Sequence, residues 1–148
     1  MSREPKSESS VKPSPIALVV CDSIYQEPGG KTALVGLFNC IHTSAVPAKH
    51  PRMAIFASVT GVRQGSSAKL EIVHAENDSN VVTANGRFPE NINNPTMVID
   101  MNFVFSNLVF PEEGKYYIRF WCNDHLLLQR PFDVKLSKPK EQLHDKNP

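Results

Sequence analysis

No stretch of this chain reads as a helix. No run of ten or more residues joins an apolar 3.6-residue period to capping residues at its ends, so strands and turns are left to build the fold. Charge of one sign is not in surplus either. Sixteen Lys and Arg stand against 15 Asp and Glu, a formal net charge of +1, and no global field draws the chain to nucleic acid, an anionic membrane or an acidic substrate. Cysteine is scarce. Cys21, Cys40 and Cys122 are an odd number at wide spacing, unlike the framework of a disulfide-stapled secreted domain. All three lie in apolar runs, where a free Cys behaves as a small buried hydrophobe. Reduced thiols are expected, and a single bond such as Cys21–Cys40 stays open. Long apolar runs are lacking too. Ile16–Cys21 falls far short of the roughly 20 residues that cross a bilayer. The opening MSREPKSESSVKPSP has no signal-peptide core, and neither end carries a lipidation signal. A cytoplasmic protein with no membrane or nucleic-acid partner is the expectation.

What is present is the material of one β domain. The 148 residues are 41% apolar and 21% charged, an ordinary soluble composition at a length that supports its own core. Polar residues 1–14 read as a disordered arm and 138–148 as a flexible tail, leaving the domain to 15–137. Ile16–Ile24 is a β-branched run, Pro28-Gly29-Gly30 a turn, and Thr32–His42 a second, antiparallel strand. Both strands are apolar on both faces in places, so they should lie centrally or under a cover. Thr43–Arg52, with two Pro, reads as a crossing loop before a strand over Met53–Val62. Ala68–Ala75 alternates Leu70 and Ile72 against Lys69 and Glu71, the pattern of a strand with one wet face. Val81–Phe88 follows. Met97–Phe105 alternates and then loses phase, since Leu108 and Phe110 become the apolar pair, and a bulge near Ser106–Asn107 is expected there. Strands recurring about every dozen residues predict an all-β fold: an eight-stranded antiparallel β-sandwich, immunoglobulin-like or a related Greek key.

The richest stretch is Phe110–Leu136. It holds the single Trp, two of the three Tyr and a Cys-x-x-His. In Lys115–Cys122 one face carries Tyr116, Ile118, Phe120 and Cys122, the other Tyr117, Arg119 and Trp121. A two-residue turn at Asn123-Asp124 sets His125 opposite Cys122; a three-residue turn sets Leu126 there. Pro131 makes the last strand an edge at that point, or bulged.

In these residues the chain resembles an uncharacterised bacterial family of small β-sandwich domains, a domain of unknown function. The resemblance covers roughly 16–136. It rests on Ala17-Leu18-Val19-Val20-Cys21-Asp22-Ser23, KTALVGLF from Lys31 to Phe38, Pro47 with His50-Pro51, Leu70-Glu71-Ile72, Asn107 to Pro111 and Gly114-Lys115-Tyr116. It implies a sandwich fold and a cytoplasmic setting, and it brings no activity and no site residue.

Candidate chemistry is thin. A zinc site would draw on Cys122 with His125, Cys40 with His42, and Cys21-Asp22, but no second CxxC completes a structural set; a buried thiol beside a turn histidine is the plainer reading. A Cys–His nucleophile needs an exposed, low-pKa thiolate, often at a helix N-terminus. His74 reads instead as a hydrogen-bonded, partly buried strand-end residue. Asp22, Glu71 and Asp100 sit on different strands and form no cleft pair. Pro28-Gly29-Gly30-Lys31 opens no helix and is no phosphate loop. Tyr117, Arg119 and Trp121 are the residue types that dominate protein interfaces, and Trp121 is equally suited to the core. The expectation is a non-catalytic module, without cofactor, metal or catalytic residue, that meets a protein partner or itself through Tyr117, Arg119 and Trp121. A carbohydrate- or small-ligand-binding sandwich and a metal or thiol enzyme are the alternatives.

Overall fold

β-Branched and aromatic runs, punctuated by Gly, Pro and Asn, pair into two face-to-face sheets. The computed structural model describes residues 11–137, and among these there are nine strands and no helix. They are β1 (Ser14–Gln26), β2 (Thr32–Leu37), β3 (Cys40–Thr43), β4 (Ala48–Thr60), β5 (Ser67–His74), β6 (Asn80–Arg87), β7 (Val98–Phe110), β8 (Gly114–Cys122) and β9 (His125–Leu136). One sheet has the order β2-β1-β4-β7, the other β3-β9-β8-β5-β6. The expected sandwich is present. The expected arm lies outside the described residues up to residue 10, while Ser14 already opens β1. The expected tail, 138–148, lies outside them entirely.

Nine strands replace eight because the run 32–42 divides between the sheets. Gly36 takes φ 75°, and a Cβ there would meet Asp22 Oδ2 at 2.5 Å, so the last stretch of the first ladder passes through a position only glycine fits. Phe38 N–H makes the last bond to the first sheet, to Val20 O (3.2 Å). Asn39 O accepts the first from the second, Asp133 N–H (3.2 Å). β3 then runs parallel to β9, so the sandwich is not antiparallel throughout.

The loss of phase expected near Ser106–Asn107 is real, but no register slips. Pairing of β4 with β7 continues from Ala48↔Phe110 to Thr60↔Val98, passing over only Pro51 and Asn107. Pro51 has no N–H to give, and Asn107 turns to φ 55°. Both strands therefore change their inward parity together, from Ala48 and Phe110 on one side to Met53 and Phe105 on the other. This also makes Ala48–Arg52 strand where a crossing loop was expected.

Between the sheets Val20, Ile55 and Phe110 from one side meet Leu70, Ile118 and Phe132 from the other. Phe110 packs edge-on against Tyr116 at 5.2 Å between ring centres. The Tyr116 hydroxyl donates to Glu112 O (2.6 Å) and accepts from Glu112 N–H (3.2 Å). That closure of the β7–β8 corner has the form of the tyrosine corner of immunoglobulin-type sandwiches.

Candidate functional site

Side-chain alternation on β8 decides the first question. Tyr116, Ile118, Phe120 and Cys122 point inward and are buried, whereas Tyr117, Arg119 and Trp121 lie half-buried on the outer face of the five-stranded sheet. Cross-strand pairing sets Lys69 beside Trp121, Glu71 beside Arg119, and Val73 beside Tyr117. These neighbours interact. The Trp121 indole N–H donates to Glu71 Oε2 at 3.0 Å, and Lys69 Nζ stands 4.8 Å from the centre of its ring. Arg119 Nε donates to Gln129 Oε1 at 2.7 Å. Its other nitrogens lie 3.9 Å from Glu71 Oε2 and 3.9 Å from Asp78 Oδ1. The row is open to solvent, and its polar groups are already tied to one another.

The cysteine–histidine candidates fall apart in space. The two-residue turn pairs Cys122 with His125, and the extra residue of β9 is absorbed near Leu127. Cys122 is buried, and burial pushes its thiol above the ordinary value; His125 is exposed. Cys40 pairs with Asp133, about 25 Å along β9 from His125 at the usual strand rise. Cys21 is also buried, and burial, aided by the Asp22 charge, pushes its thiol up. All three cysteines are free. Among the described residues no group of three or more His, Cys, Asp or Glu is gathered for a metal ion.

His74 ends β5 and is 2% exposed. Its Nδ1 accepts from Glu76 N–H (3.2 Å), which assigns the proton to Nε2, 3.4 Å from Glu113 O. The ring lies edge-on to Tyr116, so this histidine braces the same corner. Glu71 and Asp100 sit on the outer faces of opposite sheets and share no cleft. Arg130, passed over in the sequence, joins the sheets: Nη1 donates to Leu18 O (3.2 Å) and Nη2 to Asn39 Oδ1. Burial pulls its pKa below the ordinary guanidinium value. Pro131 sits where β9 extends beyond β3, an edge as expected.

The surface that sequence reasoning missed is the outer face of the four-stranded sheet. One row across it reads Leu37, Cys21, Ala54, Val104; the next reads Val19, Phe56, Asn102. Leu37 is 64% exposed and Val104 52%. Val35 and Tyr25 extend the patch. The signal was present, since the runs that form β1 and β2 are apolar on both faces. A central or covered place was expected from it, and β1 is central. β2 is an edge strand; Leu37 and Val104 are more than half exposed, whereas Cys21 and Ala54 between them are fully buried.

A family model for a family of unknown function, DUF6941, matches residues 16–135. Among solved structures the chain is similar to an immunoglobulin-like protein from Pseudomonas aeruginosa, at 10% identity and TM-score 0.40, covering 84% of this chain and 97% of that one. It is similar to the CARDB domain of a Pyrococcus furiosus protein in complex with di-metal ions, at 12% identity and TM-score 0.40, covering 84% and 96%. It is also similar to part of a β-D-glucoside glucohydrolase from Trichoderma reesei, at 12% identity and TM-score 0.45; the match covers 84% of this chain and 19% of the enzyme. No curated protein matches the chain.

Proposed function

Because the chain belongs to DUF6941, a family of unknown function, it inherits no activity, and we propose that it is a non-catalytic cytoplasmic module that acts through protein–protein contact. The observation that carries this reading is the apolar outer face of the four-stranded sheet, where Leu37 and Val104 are more than half exposed. Contiguous exposed apolar surface is a mark of interaction sites.

Several features support the rest of it. The Cys21 and Cys122 thiols are buried with raised pKa values, the opposite of a reactive thiolate. Free cysteines suit a reducing compartment. A net charge of +1 favours neither nucleic acid nor membrane. The Trp121 ring carries Lys69 on its face and Glu71 on its nitrogen, which competes with stacking of a sugar. Tyr117, Arg119 and Trp121 form a second, polar contact surface in this reading.

Replacing Val104, and separately Trp121, by a photo-crosslinking residue in the native host tests it. Illumination should produce protein adducts from position 104, and none from position 83 at the exposed Thr83. A chain that yields no protein adduct from either face defeats the proposal.

A further inference from the structure

The apolar face has a charge at each end, of opposite sign. Outward positions along β4 run Arg52, Ala54, Phe56, Ser58, and β7 brings Ser106, Val104, Asn102 and Asp100 beside them in that order. Arg52 is exposed at one end, its Nε donating to Asp22 O (3.2 Å). Lys49 lies exposed beyond it. Asp100 is exposed at the other end, one carboxylate oxygen accepting from Ser58 Oγ (2.7 Å). The Arg52 and Ser58 rows stand about 20 Å apart at the usual strand rise. A face with one sign of charge would repel its own copy; this face does so only when both copies point the same way.

We infer that the outer face of the four-stranded sheet packs on the same face of a second copy of this chain, about a two-fold axis lying across the strands. This rests on the protein-contact reading above and names the partner. Such an axis, crossing between Ala54 and Phe56, turns one copy end for end. The Arg52 row then faces the row of Ser58 and Asp100, and the Asp100 row faces Arg52, as an isologous contact requires. The same rotation lays Phe56 against the level of Ala54, large against small, and sets Val19 against the row of Leu37 and Cys21. Two sheets packed in this way lie about 10 Å apart, a gap that long charged side chains span. The second copy supplies cover for Leu37, Val35 and Val104, which stay about half exposed or more within their own chain.

Sedimentation equilibrium of the full chain at tens of micromolar tests this. The expected mass is twice the 16.5 kDa of the chain. Leu37→Lys and Val104→Lys should each weaken association by about tenfold or more, with an unchanged far-ultraviolet circular dichroism spectrum. Both positions are exposed, so if one variant misfolds the other still answers. Arg52→Asp and Asp100→Arg should each weaken the dimer, and the double swap should restore it, since the rotated copy pairs these two ends. A wild-type monomer overturns the inference, as does a dimer indifferent to both Lys variants or singly weakened swaps that the double swap fails to rescue. The crosslinker at position 104 separates the two levels. A monomer whose position 104 captures a different protein removes the second copy and leaves the contact module; a monomer that captures nothing from either face removes both.

Discussion

On the five-stranded sheet the central outward side chains meet partners across the strands. Trp121 reaches Glu71, Arg119 reaches Gln129, and Lys69 stands over the indole. On the four-stranded sheet the corresponding rows are Leu37, Cys21, Ala54 and Val104, then Val19 and Phe56, of which Leu37 and Val104 end in solvent. Both faces are made by the same two-residue alternation. One is finished inside the chain, because charged and aromatic groups satisfy each other and the surrounding water. The other leaves Leu37 and Val104 more than half exposed, and removing such surface from water is worth about 25 cal/mol per Å². The residues chosen from the sequence as an interface, Tyr117, Arg119 and Trp121, lie on the finished side.

That contrast can be broken at neighbouring positions of one strand. Phe120 is a buried aromatic of the core and Trp121 is outside. Phe120→Ala should lower unfolding free energy by about 4 kcal/mol, and Trp121→Ala by about 1 kcal/mol, for its hydrogen bond and the Lys69 contact. Urea titration of both reads the difference, and equal losses would place Trp121 in the core. Next in size is Tyr116→Phe. It removes a hydroxyl that serves both the N–H and the C=O of Glu112, and about 2 kcal/mol should go with it.

A smaller effect comes from the buried thiols, Cys21 in the outward row of one sheet and Cys122 on the inward face of the other. Cys21 and Cys122 have folded pKa values raised by burial. The folded chain holds those protons more tightly than the unfolded chain, whose thiols titrate near 8.5. Their contribution is therefore complete below that pH and is lost as pH rises through and above it. Stability measured from pH 7 to 10 should decline, and Cys21→Ala with Cys122→Ala should flatten the decline. A wild-type curve that rises over this range contradicts the assignment. Smallest of all is Val104→Ser. In a dilute, monomeric sample it should move the urea midpoint by the equivalent of about 0.5 kcal/mol or less, while concentrated samples lose association.

Much of this was legible in the residues. Leu70 and Ile72 against Lys69 and Glu71 named the two faces of β5. Pro28-Gly29-Gly30 named the first hairpin. Asn123-Asp124 offered the two-residue turn that pairs Cys122 with His125. Thr32–His42 was read as one strand, because periodicity is silent on whether a ladder bond goes to the old neighbour or a new one; Gly36 carried the only hint. The shared change of phase at Pro51 and Asn107 looked like a one-strand bulge, since its partner strand is half a chain away. The apolar outer face was hardest to see. Two-sided apolar runs state that both faces want burial, and they do not say that one will stay partly exposed.

By itself the sequence determined the β class, the turn positions and which residues share a face, because these follow from local propensity and a side-chain period of two. Only the tertiary structure decided the strand order, the division of residues 32–42 between sheets, and which of the two shared faces is inside. Those depend on which strands meet across the chain. Pairing places β2 at an edge and β5 beside β8, and the same alternation thereby becomes a satisfied polar ladder on one side and an apolar surface exposed at Leu37 and Val104 on the other.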